Sequence, residues 1–209
     1  MHDFNEPFVT AWQLVAAADA RLAGIVLLSL RVSLAATAIA CIAGMLIGAL
    51  LAYAASRPDT VRVERDIVVK APPARVFALI DDFHRWADWS PWEKLDPAMK
   101  RTHSGAASGK GAVYAWQGNG DVGAGRMEIL ETSAPARVLI RLDFLEPFAA
   151  TNTAEYTIVP EGDASRVTWA MYGPAPFVSK LMQVFVSMDK MVGKDFERGL
   201  ADLKALAER

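Results

Sequence analysis

The chain has few of the residues that most often carry chemistry. It holds one cysteine, Cys41, and three histidines, His2, His84 and His103, in 209 residues. A single cysteine excludes an intramolecular disulfide, and no cysteine or histidine pair stands at zinc-ligand spacing. There is no Gly-x-Ser-x-Gly elbow and no phosphate-binding loop. Gly118-x-Gly120 falls in a stretch that reads as a hairpin, the wrong context for dinucleotide binding. Excess charge is also lacking. Lys+Arg number 22 against 24 Asp+Glu, a net charge of −2. That leaves no large basic field, so nucleic acid is not an expected partner. No cofactor, metal site or catalytic dyad is expected from this inventory.

Apolar residues, at 53% of the chain, are abundant and unevenly placed. From Val32 to Ser56, between Arg31 and Arg57, no residue is charged. A helix needs about 20 apolar residues to span the hydrocarbon core, so one transmembrane helix is expected over about 32–55. It forms an anchor within an N-terminal segment of residues 1–57. Tyr53 suits an interface. Ala52-Tyr53-Ala54 weakly resembles a cleavage site, but the apolar run is longer than a usual signal-peptide core. The apolar pattern reaches back to Leu22, and a helix from there to Ala55 would be about 51 Å long. Its first part is therefore expected outside the bilayer core or in the interface. Gly44 and Gly48 form a GxxxG, which either lets two helices approach or simply faces lipid. Arg21 and Arg31 flank one side, and Arg57, Arg62, Arg65 and Lys70 the other. This count weakly favours a cytoplasmic domain. Several of the second set fall in an expected strand, so the side stays open. The expected location is the cell inner membrane, crossed once.

One stretch of this segment resembles another kind of protein. Leu27-Leu28-Ser29-Leu30-Arg31-Val32-Ser33-Leu34-Ala35-Ala36-Thr37, with Gly44 and Ile47-Gly48-Ala49-Leu50-Leu51-Ala52, is similar to the first membrane helix of an ABC-type anion-transporter permease, such as those for tungstate. No further span or coupling-helix motif follows. The resemblance therefore implies a recycled anchor and not transport.

Beyond Ser56-Arg57-Pro58-Asp59 the pattern changes. Val61, Val63, Ile67 and Val69 alternate with Arg62, Glu64 and Asp66, the mark of a half-buried strand. Arg65 stands on the apolar parity. It is expected either to meet a ligand carboxylate or to reach solvent at a bulge. Pro72-Pro73 ends the strand and opens a short helix with Val76, Phe77 and Ile80 on its buried stripe. The next ten residues hold Trp86, Trp89 and Trp92, three of six tryptophans. Such density must cover something apolar. Alternation returns at Ala112-Tyr114-Trp116, Met127-Ile129, Val138 to Phe144, Ala154-Tyr156-Ile158 and Val167-Trp169-Met171. After Pro174-Ala175-Pro176 the period becomes helical. Leu181, Phe185, Met188, Val192, Phe196, Leu200, Leu203 and Leu206 predict one long amphipathic helix, with Gly193 its weak point. The fold class is α+β, a curved antiparallel sheet of about seven strands wrapped on a long C-terminal helix. A sheet curled round a single helix leaves a cavity.

The order Ile67-x-Val69-x-Ala71-Pro72-x-x-Arg75-Val76-Phe77-x-Leu79-Ile80-x-Asp82, then Trp86-x-x-Trp89-Ser90-Pro91-Trp92, resembles the SRPBCC (START-like) superfamily. Met188-Asp189-Lys190-Met191-Val192-Gly193-Lys194-Asp195-Phe196-Glu197-x-Gly199-Leu200 is similar to the same group. The branch is that of polyketide cyclase/dehydrase and lipid transport. The resemblance covers 58–209 and implies a helix-grip domain that encloses a small hydrophobic ligand: a lipid, isoprenoid or polyketide-like molecule. The superfamily also hosts cyclase-type enzymes and co-chaperone-like interaction modules, so fold does not choose among them. The expected ligand contacts are Trp86, Trp89, Trp92, Tyr114, Trp116, Met127, Trp169, Met182 and Phe185. Each could also be plain core. For an enzyme, His84 or Tyr114 would supply the acid or base; His84 reads more simply as a surface histidine near a helix end. Asp81 and Asp82, as neighbours, point about 100° apart on a helix and form no paired-carboxylate site. Glu128 and Glu131 belong to a solvated strand face or end.

Overall fold

The computed structural model describes residues 5–16, 20–185 and 187–209. His2 lies outside them. The chain divides into two compact units, Met1–Tyr53 and Ala54–Arg209.

The first unit contains α1 (Asn5–Ala16) and most of α2 (Ala20–Ala55). Arg21–Ala55 is long and apolar enough to cross a membrane. Its large apolar side chains, among them Ile25, Leu34, Ile39, Ile42 and Leu46, are exposed rather than packed on other protein. At 1.5 Å per residue the 36 residues of α2 extend about 54 Å. That exceeds a hydrocarbon core of about 30 Å, as the sequence pattern indicates.

The second unit is one antiparallel sheet of seven strands in the order β1-β7-β6-β5-β4-β3-β2. The strands are β1 (Thr60–Val69), β2 (Lys100–Gly105), β3 (Ala112–Gln117), β4 (Ala124–Ser133), β5 (Arg137–Glu146), β6 (Ala150–Glu161) and β7 (Ala164–Pro174). Helix α3 (Pro73–Ile80) and two short 3-10 turns, Phe83–Asp88 and Pro91–Lys94, connect β1 to β2. Pro73 and Pro91 each open a helical turn where a missing N–H costs nothing. Asp82 caps the turn between them, its carboxylate accepting from the His84 N–H at 2.9 Å. One face of the sheet supplies Val63, Val69, Tyr114, Ile129, Ile140, Tyr156, Ile158, Val167 and Trp169 to a core closed by Val76 and Ile80 of α3. The final helix α5 (Met188–Ala207) completes it with Phe196, Leu200, Leu203 and Ala207. Their four-three-four spacing is one apolar stripe.

Two expectations need correction. The predicted single C-terminal helix is two: α4 (Phe177–Phe185) ends before α5 begins, and Ser187 caps α5 with its hydroxyl toward the Lys190 N–H. A capping serine, not Gly193, marks the break. Arg65 does not sit at a bulge. The β1–β7 register runs unbroken from Thr60↔Pro174 to Val69↔Ser165. Its guanidinium instead bonds Asp189 and Glu197 on α5, both at 2.8 Å. Gly193 makes that possible, because a Cβ there would stand 2.1 Å from Arg65 Nη2. Strand β2 has no counterpart among the runs read from the sequence: it has no apolar alternation, and all six of its residues are exposed.

Candidate functional site

A cavity of about 270 Å³ opens between the core face of the sheet, the Trp86–Met99 segment, the Gly120–Gly123 loop and α5. The sequence sets its walls by several local devices. Helix α3 leaves its last carbonyls without intrahelical partners. Trp86 Nε1–H donates to the Ile80 carbonyl at 3.0 Å, and Trp89 Nε1–H to that of Leu79 at 3.1 Å. Both indoles are thereby fixed with their apolar bodies turned into the core. On β3, Trp116 donates to the Val122 carbonyl at 3.0 Å. Its ring lies on Gly125 of β4, where a Cβ would come within 2.4 Å of it. On β7, Trp169 stacks on Phe196 of α5 with centroids 4.0 Å apart and planes 8° from parallel.

Polar groups are few. The Tyr114 hydroxyl donates to Glu93, and Arg101 Nε donates to the other Glu93 oxygen at 2.6 Å. Burial first, then the neighbouring Glu93, pushes the Tyr114 hydroxyl well above its usual range. Tyr114 therefore stays protonated and is committed as a donor. Ser90 is buried in the wall. The buried indole N–H of Trp169 has no hydrogen-bond partner among the described residues. Asp121, Glu146 and Asp195 also reach the lining.

Six of the expected contact residues line this cavity: Trp86, Trp92, Tyr114, Trp116, Met127 and Trp169. Trp89 does not. It is fully buried behind Trp86, its ring 4.9 Å from that neighbour and 5.8 Å from Trp169. Met182 and Phe185 lie on α4 at 57% and 73% exposure. The buried residue of that helix is Lys180, whose ammonium meets Asp59. With its lysine inward, α4 turns its apolar side chains outward. Leu142, Phe144, Ala154 and Met171 join the lining from the same strand faces as the expected residues. Continuing the alternation to each neighbouring strand would have found them. Glu93 carried no such signal.

The other titratable candidates stand apart. His84 bonds Asp82 at 2.8 Å and stacks on His103 at 4.3 Å, with over half its side chain exposed and outside the lining. Asp81 is held above the usual carboxylate range, first by burial and then by Asp82. Glu128 pairs with Arg126, and Glu131 with Arg137. Trp86 and Trp89 are buried and Trp92 is half-buried, so the three tryptophans form no exposed patch. Among the described residues no cluster could hold a metal ion.

The sequence profile of the family described as "Polyketide cyclase / dehydrase and lipid transport" matches residues 60–208. No curated protein matches the chain in sequence. A solved protein from Chromobacterium violaceum superposes with a TM-score of 0.51 at 18% identity, covering 73% of this chain and 99% of its own. The major latex-like protein 151 of Panax ginseng gives 0.51 at 14% identity, covering 73% and 100%. The di-domain ARO/CYC protein of the steffimycin biosynthetic pathway gives 0.55 at 10% identity, covering 71% of this chain and 51% of its own. At such identities the likeness is one of fold. The first two consist of the second unit's fold and little else, so this fold stands without an N-terminal segment.

Proposed function

The chain belongs to the polyketide cyclase/dehydrase and lipid transport family, and from that premise we propose that it is a membrane-anchored binder of a small hydrophobic ligand. Residues 1–57 hold the anchor and 58–209 the ligand-binding domain. The permease-like stretch serves as anchor alone. The observation that carries the reading is the aromatic cavity of about 270 Å³. Trp86, Trp92, Tyr114, Trp116, Met127 and Trp169 contact the ligand, and Trp89 backs the wall. Methionine adapts to irregular apolar shapes, and the tryptophans add area with a polar edge. Affinity comes from apolar burial at about 25 cal/mol per Å², less the cost of immobilising the ligand. An anchor keeps such a cavity close to a lipophilic supply.

Two details weigh against an enzyme of the cyclase type. His84 is outside the lining, and the Tyr114 hydroxyl is already engaged as a hydrogen-bond donor to Glu93. The buried placement of Trp86 and Trp89 weighs against an interaction module built on that segment.

Native mass spectrometry of the fragment Pro58–Arg209, followed by organic extraction, tests the ligand reading. A discrete bound mass in the lipid range is expected. A protein that is empty and also ignores a neutral solvatochromic dye would refute it. Alkaline carbonate extraction of membranes carrying the full chain tests the anchor separately. Retention in the pellet is expected, and release would remove the anchor from the proposal while leaving the cavity.

A further inference from the structure

Every charged side chain in the cavity lining is acidic: Glu93, Asp121, Glu146 and Asp195, with no lysine, arginine or histidine among the described residues. Glu93 is neutralised by Arg101, its ion-pair partner at 2.6 Å. Asp121, Glu146 and Asp195 have no such partner among the described residues. Glu146 and Asp121 are exposed and Asp195 is half-exposed, so they stand where the cavity meets solvent. Below them the walls are aromatic faces, among them those of Trp92, Trp116 and Trp169. Aromatic faces attract a cation and repel an anion. Unpaired carboxylates do the same from a distance. A fatty-acid carboxylate or a phosphate head would meet like charge at the mouth and negative ring faces inside.

Resting on the ligand reading above, we propose that the cavity selects a cationic amphiphile: an apolar body ending in an amine or ammonium group. The cationic end lies against Asp195 and Glu146.

Three probes that share one decanoyl chain separate charge from shape. They are decanoylcholine, methyl decanoate and decanoate, with charges of about +1, 0 and −1 at neutral pH. Each displaces a neutral solvatochromic dye from the fragment Pro58–Arg209 at low ionic strength. Each unpaired carboxylate near the head group contributes on the order of fivefold in a water-like medium. Decanoylcholine is therefore expected to bind at least tenfold more tightly than decanoate, with the ester between them. Salt should compress the series. The triple variant Asp121→Asn, Glu146→Gln, Asp195→Asn should flatten it while still binding the dye. The proposal is overturned if decanoate binds as tightly as decanoylcholine, or if the order survives in the variant. Failure of the dye and all three probes to bind would overturn the ligand reading itself.

Discussion

Ala154 offers a direct test of whether the cavity is where ligand sits. It lies on β6, 4% exposed, opposite Ile140 on β5 and Met171 on β7, and it lines the cavity. Ala154→Leu adds three carbons into that space and removes no existing contact. The ligand loses room for about three methylene equivalents, each worth about 0.8 kcal/mol, or about 2.4 kcal/mol in all. At tenfold per 1.4 kcal/mol this is roughly fiftyfold weaker binding. Protein stability should move the other way or not at all, since the added carbons fill space that no side chain occupies. The assay pairs a titration of a neutral solvatochromic dye with thermal unfolding followed by circular dichroism. Affinity falling at unchanged or higher Tm is the expected signature. Unchanged affinity would mean that the dye sits elsewhere. A fall in Tm matching the usual overpacking cost of about 1–3 kcal/mol would mean that no room exists beside Ala154.

Trp89→Phe takes the donor from the Leu79 carbonyl in a fully buried place and should cost about 1–3 kcal/mol. With a Tm shift of about 2–4 °C per kcal/mol, thermal unfolding should fall by roughly 2–12 °C. Trp116→Ala should weaken dye binding measurably by titration, because its ring forms a wall of the cavity. The Asp189 carboxyl is held below its ordinary range, first by its hydrogen bond from Arg65. A lowered folded-state pKa gives stability that is present above the unfolded value of about 3.9 and lost as pH falls through the folded one. Arg65→Met should therefore lower Tm near neutral pH, with the gap to the parent closing as pH drops below the usual aspartate range. A gap that stays constant across a pH series of melts would sink that account.

Much of the domain was legible because its strands have one wet face. Val138 to Phe144 and Val167 to Met171 announce their inward positions by simple alternation, and the structure buries Val138, Ile140, Val167, Trp169 and Met171. The α5 stripe was legible for the same reason at helical period. What escaped was set by single polar contacts between distant parts of the chain. Apolar spacing alone carried Met182 and Phe185 into an imagined long helix. The helix that carries them turns Lys180 inward instead, toward Asp59, 121 residues away. Arg65 looked misplaced on its strand because its partners, Asp189 and Glu197, lie more than 120 residues further along. Glu93 gave no sign of entering the cavity, since Arg101 and Tyr114, which hold it there, lie on the later strands β2 and β3.

The polar strand β2 bears on how copies of this protein behave beside one another. It ends the sheet, and Lys100, Arg101, Thr102, His103 and Ser104 are all exposed on it. In the membrane-anchored arrangement proposed above, the chain would meet its copies at densities that dilute solution seldom reaches. An apolar open edge would there serve as a template for a neighbour's strand. Two cations and a row of small hydroxyls instead make strand addition unfavourable. The lack of pattern that hid β2 in the sequence is the same property that leaves this edge of the sheet a poor template for a neighbour's strand.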